Sequence, residues 1–288
     1  MIATALERAL GRAVDSLQPV GGGDINDAYR AETDSGERLF VKTRPDAAAG
    51  EFAAEAAGLR WLAEGDAVRV PEVVALGEQA DPPFLALEWV EPGRLSEAGA
   101  EAFGRGLAQL HGLGAPAHGW LPGGTGEQRI GSLRLPSVPV TSWAELYAEQ
   151  RLRPLAAMAL ECGALERSGV EAVESVCARI DALAGPAEPP ARLHGDLWSG
   201  NVHADEAGEA WLIDPSAHGG HRELDLAMLR LFGAPSGRIF DAYEEQAPLA
   251  TGHRERVRLW QLQPLLVHAV LFGGHYGQAA EAAAGAYL

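Results

Sequence analysis

The spacing of apolar positions changes period several times along this chain. Ile2, Leu6, Ala9, Leu10 and Ala13 recur at helical spacing and predict a short amphipathic helix over 2–15. Alternation then takes over: 17–20, 27–32 and 38–43 read as strands, the last two joined by a turn at Asp34-Ser35-Gly36. Helical period returns over 47–64, where Phe52, Ala56, Leu59 and Leu62 form the stripe, and two more strands follow at 70–77 and 84–88. From Ser96, a good N-cap, the pattern is helical at 97–113, 142–162, 165–183, 223–232 and 254–272. Only 202–203 and 210–213 interrupt it, as a hairpin turning through 205–209. The Gly- and Pro-rich stretch 114–139 is too long for a plain connector, which makes it a functional or mobile element. The expected fold class is α+β and bilobal: a small five-stranded antiparallel N-terminal lobe (1–90), a hinge (91–95) broken by Pro92-Gly93, and a mainly helical lobe (96–288).

Candidate chemistry concentrates in Leu193-His194-Gly195-Asp196-Leu197-Trp198-Ser199-Gly200-Asn201, followed by Ile213-Asp214-Pro215. Any one of these acids and amides alone reads as a turn residue. Together, at either end of a predicted hairpin, they match the needs of phosphoryl transfer. One carboxylate, Asp196, orients and deprotonates an alcohol, while oxygen ligands from Asn201 and Asp214 hold magnesium on the phosphates of ATP. The spacing is that of a protein-kinase catalytic loop, with Asp214 standing where D-F-G begins.

Upstream, Gly21-Gly22-Gly23-Asp24 lies between strand-like segments. It is either a flexible hairpin turn or a loop whose backbone N–H groups approach phosphate. Lys42 closes the apolar run Leu39-Phe40-Val41, as a lysine that grips the α and β phosphates would; Glu51 and Glu55, one helical turn apart, are both candidates for its partner. The extended Glu88-Trp89-Val90 precedes Pro-Gly, and adenine would be read there by Glu88 C=O and Val90 N–H, with Trp89 packing alongside.

Composition narrows the rest. A formal net charge of −17 disfavours nucleic acid as a partner, since phosphate binding wants clustered Lys and Arg. No apolar run approaches a membrane span, and the first residues lack the pattern of a signal peptide, so a cytoplasmic protein with no membrane association is expected. Cys162 and Cys177, without a CxxC pattern, are expected to be free, and the scattered histidines show no zinc spacing.

In these residues the chain resembles the protein-kinase-like fold, and more narrowly the fructosamine kinase (ketosamine-3-kinase) family, related to aminoglycoside phosphotransferases and choline kinases. The narrower resemblance rests on Trp198 inside L-H-G-D-L-W-S-G-N, on Gly220-His221-Arg222-Glu223-Leu224-Asp225-Leu226-Ala227-Met228, on Arg129-Ile130-Gly131-Ser132, and on Phe272-Gly273-Gly274-His275-Tyr276-Gly277. It favours Glu55, in E-A-A-G-L-R-W-L, as the partner of Lys42. It implies an ATP- and Mg2+-dependent kinase of the C3 hydroxyl of ketoamines, free or on glycated protein lysines, whose product is unstable, so that deglycation begins. The acidic surface suits basic, lysine-bearing acceptors. Trp198 is then expected to stack on a sugar face, His221 to touch substrate, and Asp225 to hold loop backbone from a helix start. Rival readings are a kinase of an aminoglycoside, choline or free sugar, and a catalytically inactive binding module. Some members carry a redox-active cysteine in the Gly-rich loop, where this chain has Asp24.

Overall fold

A computed structural model describes residues 2–21, 26–124 and 126–288. Helix α1 (Ile2–Leu10) stops short of its predicted end because Gly11 turns left-handed, φ 69°, and the chain enters β1 (Val14–Pro19). Strands β2 (Asp27–Thr33) and β3 (Arg38–Thr43) follow, then α2 (Glu51–Ala63), β4 (Val73–Gly77) and β5 (Phe84–Glu88). The five strands form one antiparallel sheet in the order β1-β2-β3-β5-β4.

Alternation along β3 decides where its lysine points. Leu39 and Val41 are buried with Leu6, Phe84 and Ala86 on the α1 side of the sheet. Phe40 and Lys42 therefore face the other way, towards α2, whose Phe52, Ala56 and Leu59 pack on Leu85 and Leu87 of β5. Helix α2 begins four residues later than predicted. Gly50 supplies the left-handed turn into it, and Glu78, just beyond β4, accepts from Gly50 N–H (2.9 Å) and Ala53 N–H (2.7 Å).

The remainder is mainly helical. Ser96 caps α3 (Glu97–Gly112) by accepting from Gly99 N–H at 2.9 Å. The long 114–139 stretch holds a hairpin of β6 (Glu127–Ile130) and β7 (Leu133–Pro136). It is pinned: the buried Gln128 amide donates to Ser216 O and Ser216 Oγ, each at 2.9 Å. Helices α4 (Trp143–Tyr147) and α5 (Arg153–Glu161) join through a π-helical turn at Ala148–Leu152, and α6 (Arg167–Cys177) and α7 (Ile180–Leu183) follow. Cys162 and Cys177 are free thiols.

Short strands then frame a loop cluster: β8 (Ala191–Leu193), β9 (Val202–Ala204), β10 (Ala210–Leu212) and β11 (His218–Gly220). β9 pairs with β10, as the sequence predicts, and β8 with β11. Helices α8 (Glu223–Leu231), α9 (Arg238–Gln246), α10 (His253–Phe272) and α11 (Tyr276–Gly285) complete the chain. The hydrogen-bond ladder of α10 is interrupted midway. Pro264 has no N–H, and the Tyr147 hydroxyl inserts by donating to Leu259 O (2.7 Å) and accepting from Gln263 N–H (3.2 Å).

No helix among the described residues is long and apolar enough to cross a membrane.

Candidate active site

The pairings β8–β11 and β9–β10 bring residues 194–201 and 213–216 side by side. Ile213 N–H donates to Asn201 O at 3.1 Å, and Gly195 has φ 82° with its α-carbon against Ser216 O, so close that a Cβ would sit 2.1 Å from that oxygen. Only glycine fits there. His194 lies fully buried between the two segments. Its Nε2 lies 2.9 Å from Ile213 O and its Nδ1 accepts from Asp196 N–H at 3.3 Å. That pattern assigns the neutral imidazole with its proton on Nε2, in accord with burial pushing the His194 pKa down.

Asp225, near the start of α8, holds the loop from below, as the sequence suggests. Its two oxygens accept from His194 N–H (2.8 Å) and Gly195 N–H (2.9 Å), and His111 Nε2 lies 3.3 Å away. Tyr243 OH in turn sits 2.8 Å from His111 Nδ1. His111 is thus a packed, bonded residue of α3.

Above this support stands Asp196. Asn201 Nδ2 donates to its Oδ2 (3.2 Å) and to its backbone oxygen (2.8 Å). Burial pushes the Asp196 carboxyl up to about 7, with repulsion from Asp214 adding to the rise and the Asn201 bond opposing it. Asp214 has φ 55°. Its side chain is 43% exposed and reaches Lys42, which also donates to Glu55 Oε1 at 2.9 Å. Burial opposes the ammonium of Lys42; the charges of Glu55 and Asp214 outweigh it and hold the group above its ordinary range.

Of the two glutamates open as partners of Lys42, Glu55 makes the pair. Glu51 bonds Arg44 instead, at 2.6 and 2.8 Å, and Arg44 reaches on to Asn26 Oδ1 at 3.0 Å. Gly21 is exposed where β1 ends; Gly22, Gly23 and Asp24 lie outside the described residues. At 88–90, Glu88 N–H is committed to Glu72 O (2.9 Å), and Val90 N–H makes no hydrogen bond among the described residues. Trp89 packs between Arg30 and Phe40 and donates to Glu91.

Trp198 is 39% exposed beside Asp196, its ring lying over Gly200, where a Cβ would meet it at 2.2 Å. It starts a run of rings: Phe232 edge-on at 6.2 Å, then His268 at 4.6 Å from Phe232, with Phe272 and Tyr276 around His268. His221 requires a correction. It is 3% exposed and stacked on Trp260 at 5.2 Å, inside the helical core, and burial pushes its pKa down to about 4. It packs in the core rather than facing solvent on the cleft side of the loop. Within the segment 220–228 it is Asp225 that hydrogen-bonds the loop.

Several contributors carry no motif. Glu78 caps α2, Gln128 anchors the hairpin, and Arg192 lies over Trp61 (4.6 Å) while donating to Trp61 O. Only their burial and partners reveal them.

A five-stranded lobe presenting an ion-paired lysine, joined to a helical lobe presenting a half-buried carboxylate with an adjoining amide and second carboxylate, defines a kinase-like enzyme that phosphorylates a hydroxyl group. The fold is shared, at 16% identity, with an aminoglycoside phosphotransferase: TM-score 0.61, covering 99% of this chain and 97% of that one. The fructosamine kinase family model matches residues 1–288, and the chain belongs to that family. Among its relatives are proteins named probable ketoamine kinase in Enterococcus faecium (35% identical over 263 residues, 90% of each chain) and in Synechocystis (35% over 271 residues, 93% of this chain and 88% of that one). A structure from Thermobifida fusca, solved as a putative fructosamine-3-kinase, superposes with TM-score 0.91 at 44% identity, covering 99% and 97% of the two chains.

Proposed function

We propose that the protein phosphorylates the C3 hydroxyl of ketoamines, on free amines or glycated protein lysines, at the expense of ATP, and thereby initiates deglycation. The observation that carries this is the pairing of Asp196 with an accessible indole: a half-buried carboxylate with pKa near 7 stands beside Trp198, whose exposed ring suits the C–H face of a sugar. Names borne by the relatives point to the same acceptor class.

The roles follow from the contacts. Residues 91–95 serve as hinge between the lobes. ATP lies between them, its adenine edge at Glu88 C=O and Val90 N–H beside Trp89, its phosphates near Gly21 to Gly23 and Lys42, which Glu55 orients. The Asn201 Nδ2 bonds to Asp196 leave Oδ1 free, and the Asp214 carboxylate is accessible. These two oxygen donors fit magnesium, which is bound by few protein oxygens plus phosphate and water. Among the described residues no group of three or more His, Cys, Asp and Glu gathers to hold a metal by protein side chains alone. Bound there, the ion would neutralise charge on the phosphates. Asp196 orients the acceptor hydroxyl and takes its proton, with a pKa close to the working pH as general-base action requires. Lys42 balances phosphate charge, so that catalysis is mainly positioning and electrostatics.

The test is ATP consumption with ribulosamine, erythrulosamine and fructosamine acceptors against an aminoglycoside, choline and free sugars. Turnover confined to the second group would replace the ketoamine reading. Nucleotide binding with no turnover of any acceptor would favour a binding module.

A further inference from the structure

Beside Asp196 lies a narrow slot that the reading above leaves unused. Gly195 and Asp196 form one side; Ile130 of β6, Leu224 and Met228 of α8, and Gln263, Pro264 and Val267 of α10 form the rest. Its free space is about 10 Å³, the room of a single water-sized group. The walls are apolar except for Asp196 and Gln263.

Gln263 is the anomaly. It is 3% exposed, and its Oε1 is buried without a hydrogen-bond partner. No side-chain hydrogen bond of Gln263 exists among the described residues. A buried amide left unpaired costs free energy that a leucine of similar size would not. The surrounding helix is also built unusually at this point. The Tyr147 hydroxyl takes the Gln263 backbone N–H, and Pro264 follows directly, so the ladder is interrupted where these two residues line the slot.

We propose that the Gln263 amide is a specificity determinant, binding a hydroxyl of the acceptor adjacent to the one that receives phosphate. The slot admits one oxygen and little more, and Asp196, the residue that takes the reacting proton, is part of its wall. An acceptor seated on Asp196 places its next hydroxyl where the amide waits for a partner. This rests on the kinase reading of Asp196 but not on the acceptor being a ketoamine.

The test uses Gln263→Leu and Gln263→Met, which keep the volume and remove the hydrogen bonds. Without acceptor, both variants should melt at or above the wild-type temperature. A fall of several degrees in both would show that the amide is bonded within the resting protein, and would overturn the proposal. With whichever acceptor of the panel the wild type uses best, KM for acceptor should rise about tenfold, the factor of one lost hydrogen bond, with KM for ATP unchanged. An acceptor lacking the adjacent hydroxyl (for a ketoamine, the 4-deoxy compound) should lose the same factor with wild type and nothing further with the variants. Equal losses for the deoxy acceptor in wild type and variants would assign that hydroxyl elsewhere and overturn the proposal. If ketoamines fail as acceptors but another panel member succeeds, the ketoamine reading falls while this one is still decided on that member.

Discussion

Two carboxylates at one loop, Asp196 and Asp225, are partly and wholly withdrawn from water and respond in opposite directions. Burial would raise either one. At Asp225 it is outweighed by the His111 bond, the neighbouring imidazoles and the Gly195 N–H, and the carboxyl sits below its ordinary value. At Asp196 the only side-chain donor among the described residues is the Asn201 amide, Asp214 adds repulsion, and the carboxyl rises to about 7. The number of donors, not the depth of burial, separates a support from a reactive group. One acid is stabilised by the fold; the other is held against its preference.

The comparison breaks most visibly at Asp196. Asp196→Asn should reduce turnover by about 10³-fold, within the range for loss of a general base, while nucleotide still raises the melting temperature. The same change should stabilise the protein at pH 8. A carboxyl raised from 3.8 to about 7 makes the ionised native state less stable at pH above 7 by on the order of 4 kcal/mol. An asparagine variant that is both active and no more stable would remove the contrast.

Asp225→Ala should do the reverse. Two buried N–H groups lose their acceptor, at a cost of about 3 kcal/mol or more, read as a lower urea midpoint. Activity should fall with the folded fraction and with loop order together.

A third expectation concerns pH and the histidines behind the loop. Burial lowers both His218 and His221 to about 4. The unfolded chain therefore binds more protons between pH 6.5 and 4, and the stability these groups confer, complete above pH 6.5, is lost as pH falls through that window. Urea midpoints at pH 7.5, 6.5, 5.5 and 4.5 should drop progressively, and a flat series would mean that neither imidazole is held neutral. Over the upper part of the range kcat/KM for acceptor should rise with pH as Asp196 ionises, reaching half its maximum near pH 7 and its plateau about a unit higher.

The smallest effect belongs to Glu78. Removing its carboxylate in Glu78→Ala uncaps α2 and should cost about 1 kcal/mol, with a modest rise in KM for ATP through Glu55 and Lys42.

Much of this was legible in the chain. Lys42 stood out as the lysine closing the apolar run 39–41, and the Asp196–Asn201–Asp214 spacing marked both ends of a hairpin that the structure contains. The exceptions share a physical cause: they depend on partners distant in sequence. His221 lies in the same family segment as Asp225, yet its place is fixed by Trp143 and Trp260. Spacing alone left Glu51 and Glu55 open, and the family resemblance chose Glu55; in the structure Arg44 occupies Glu51, and the start of α2 turns on Glu78. The 114–139 stretch hid a hairpin because its anchor, Gln128, bonds residues some ninety positions away. Gln263 gives no pattern at all; only an empty hydrogen-bonding position in a finished interior picks it out.

Helix α2 belongs to the small lobe by sequence, yet its far end is fastened to the other lobe. Arg192 grips Trp61 O, Gly58 rests against Pro215 and Ala217 at a distance where an added Cβ would touch them at 3.3 Å, and Leu212 N–H donates to Arg69 O at 2.9 Å. The unit that breathes therefore does not coincide with the unit that the chain order suggests. Amide exchange should run fastest in the β1–β2 edge of the sheet and slow abruptly at α2, as though the helix had been lent to its neighbour.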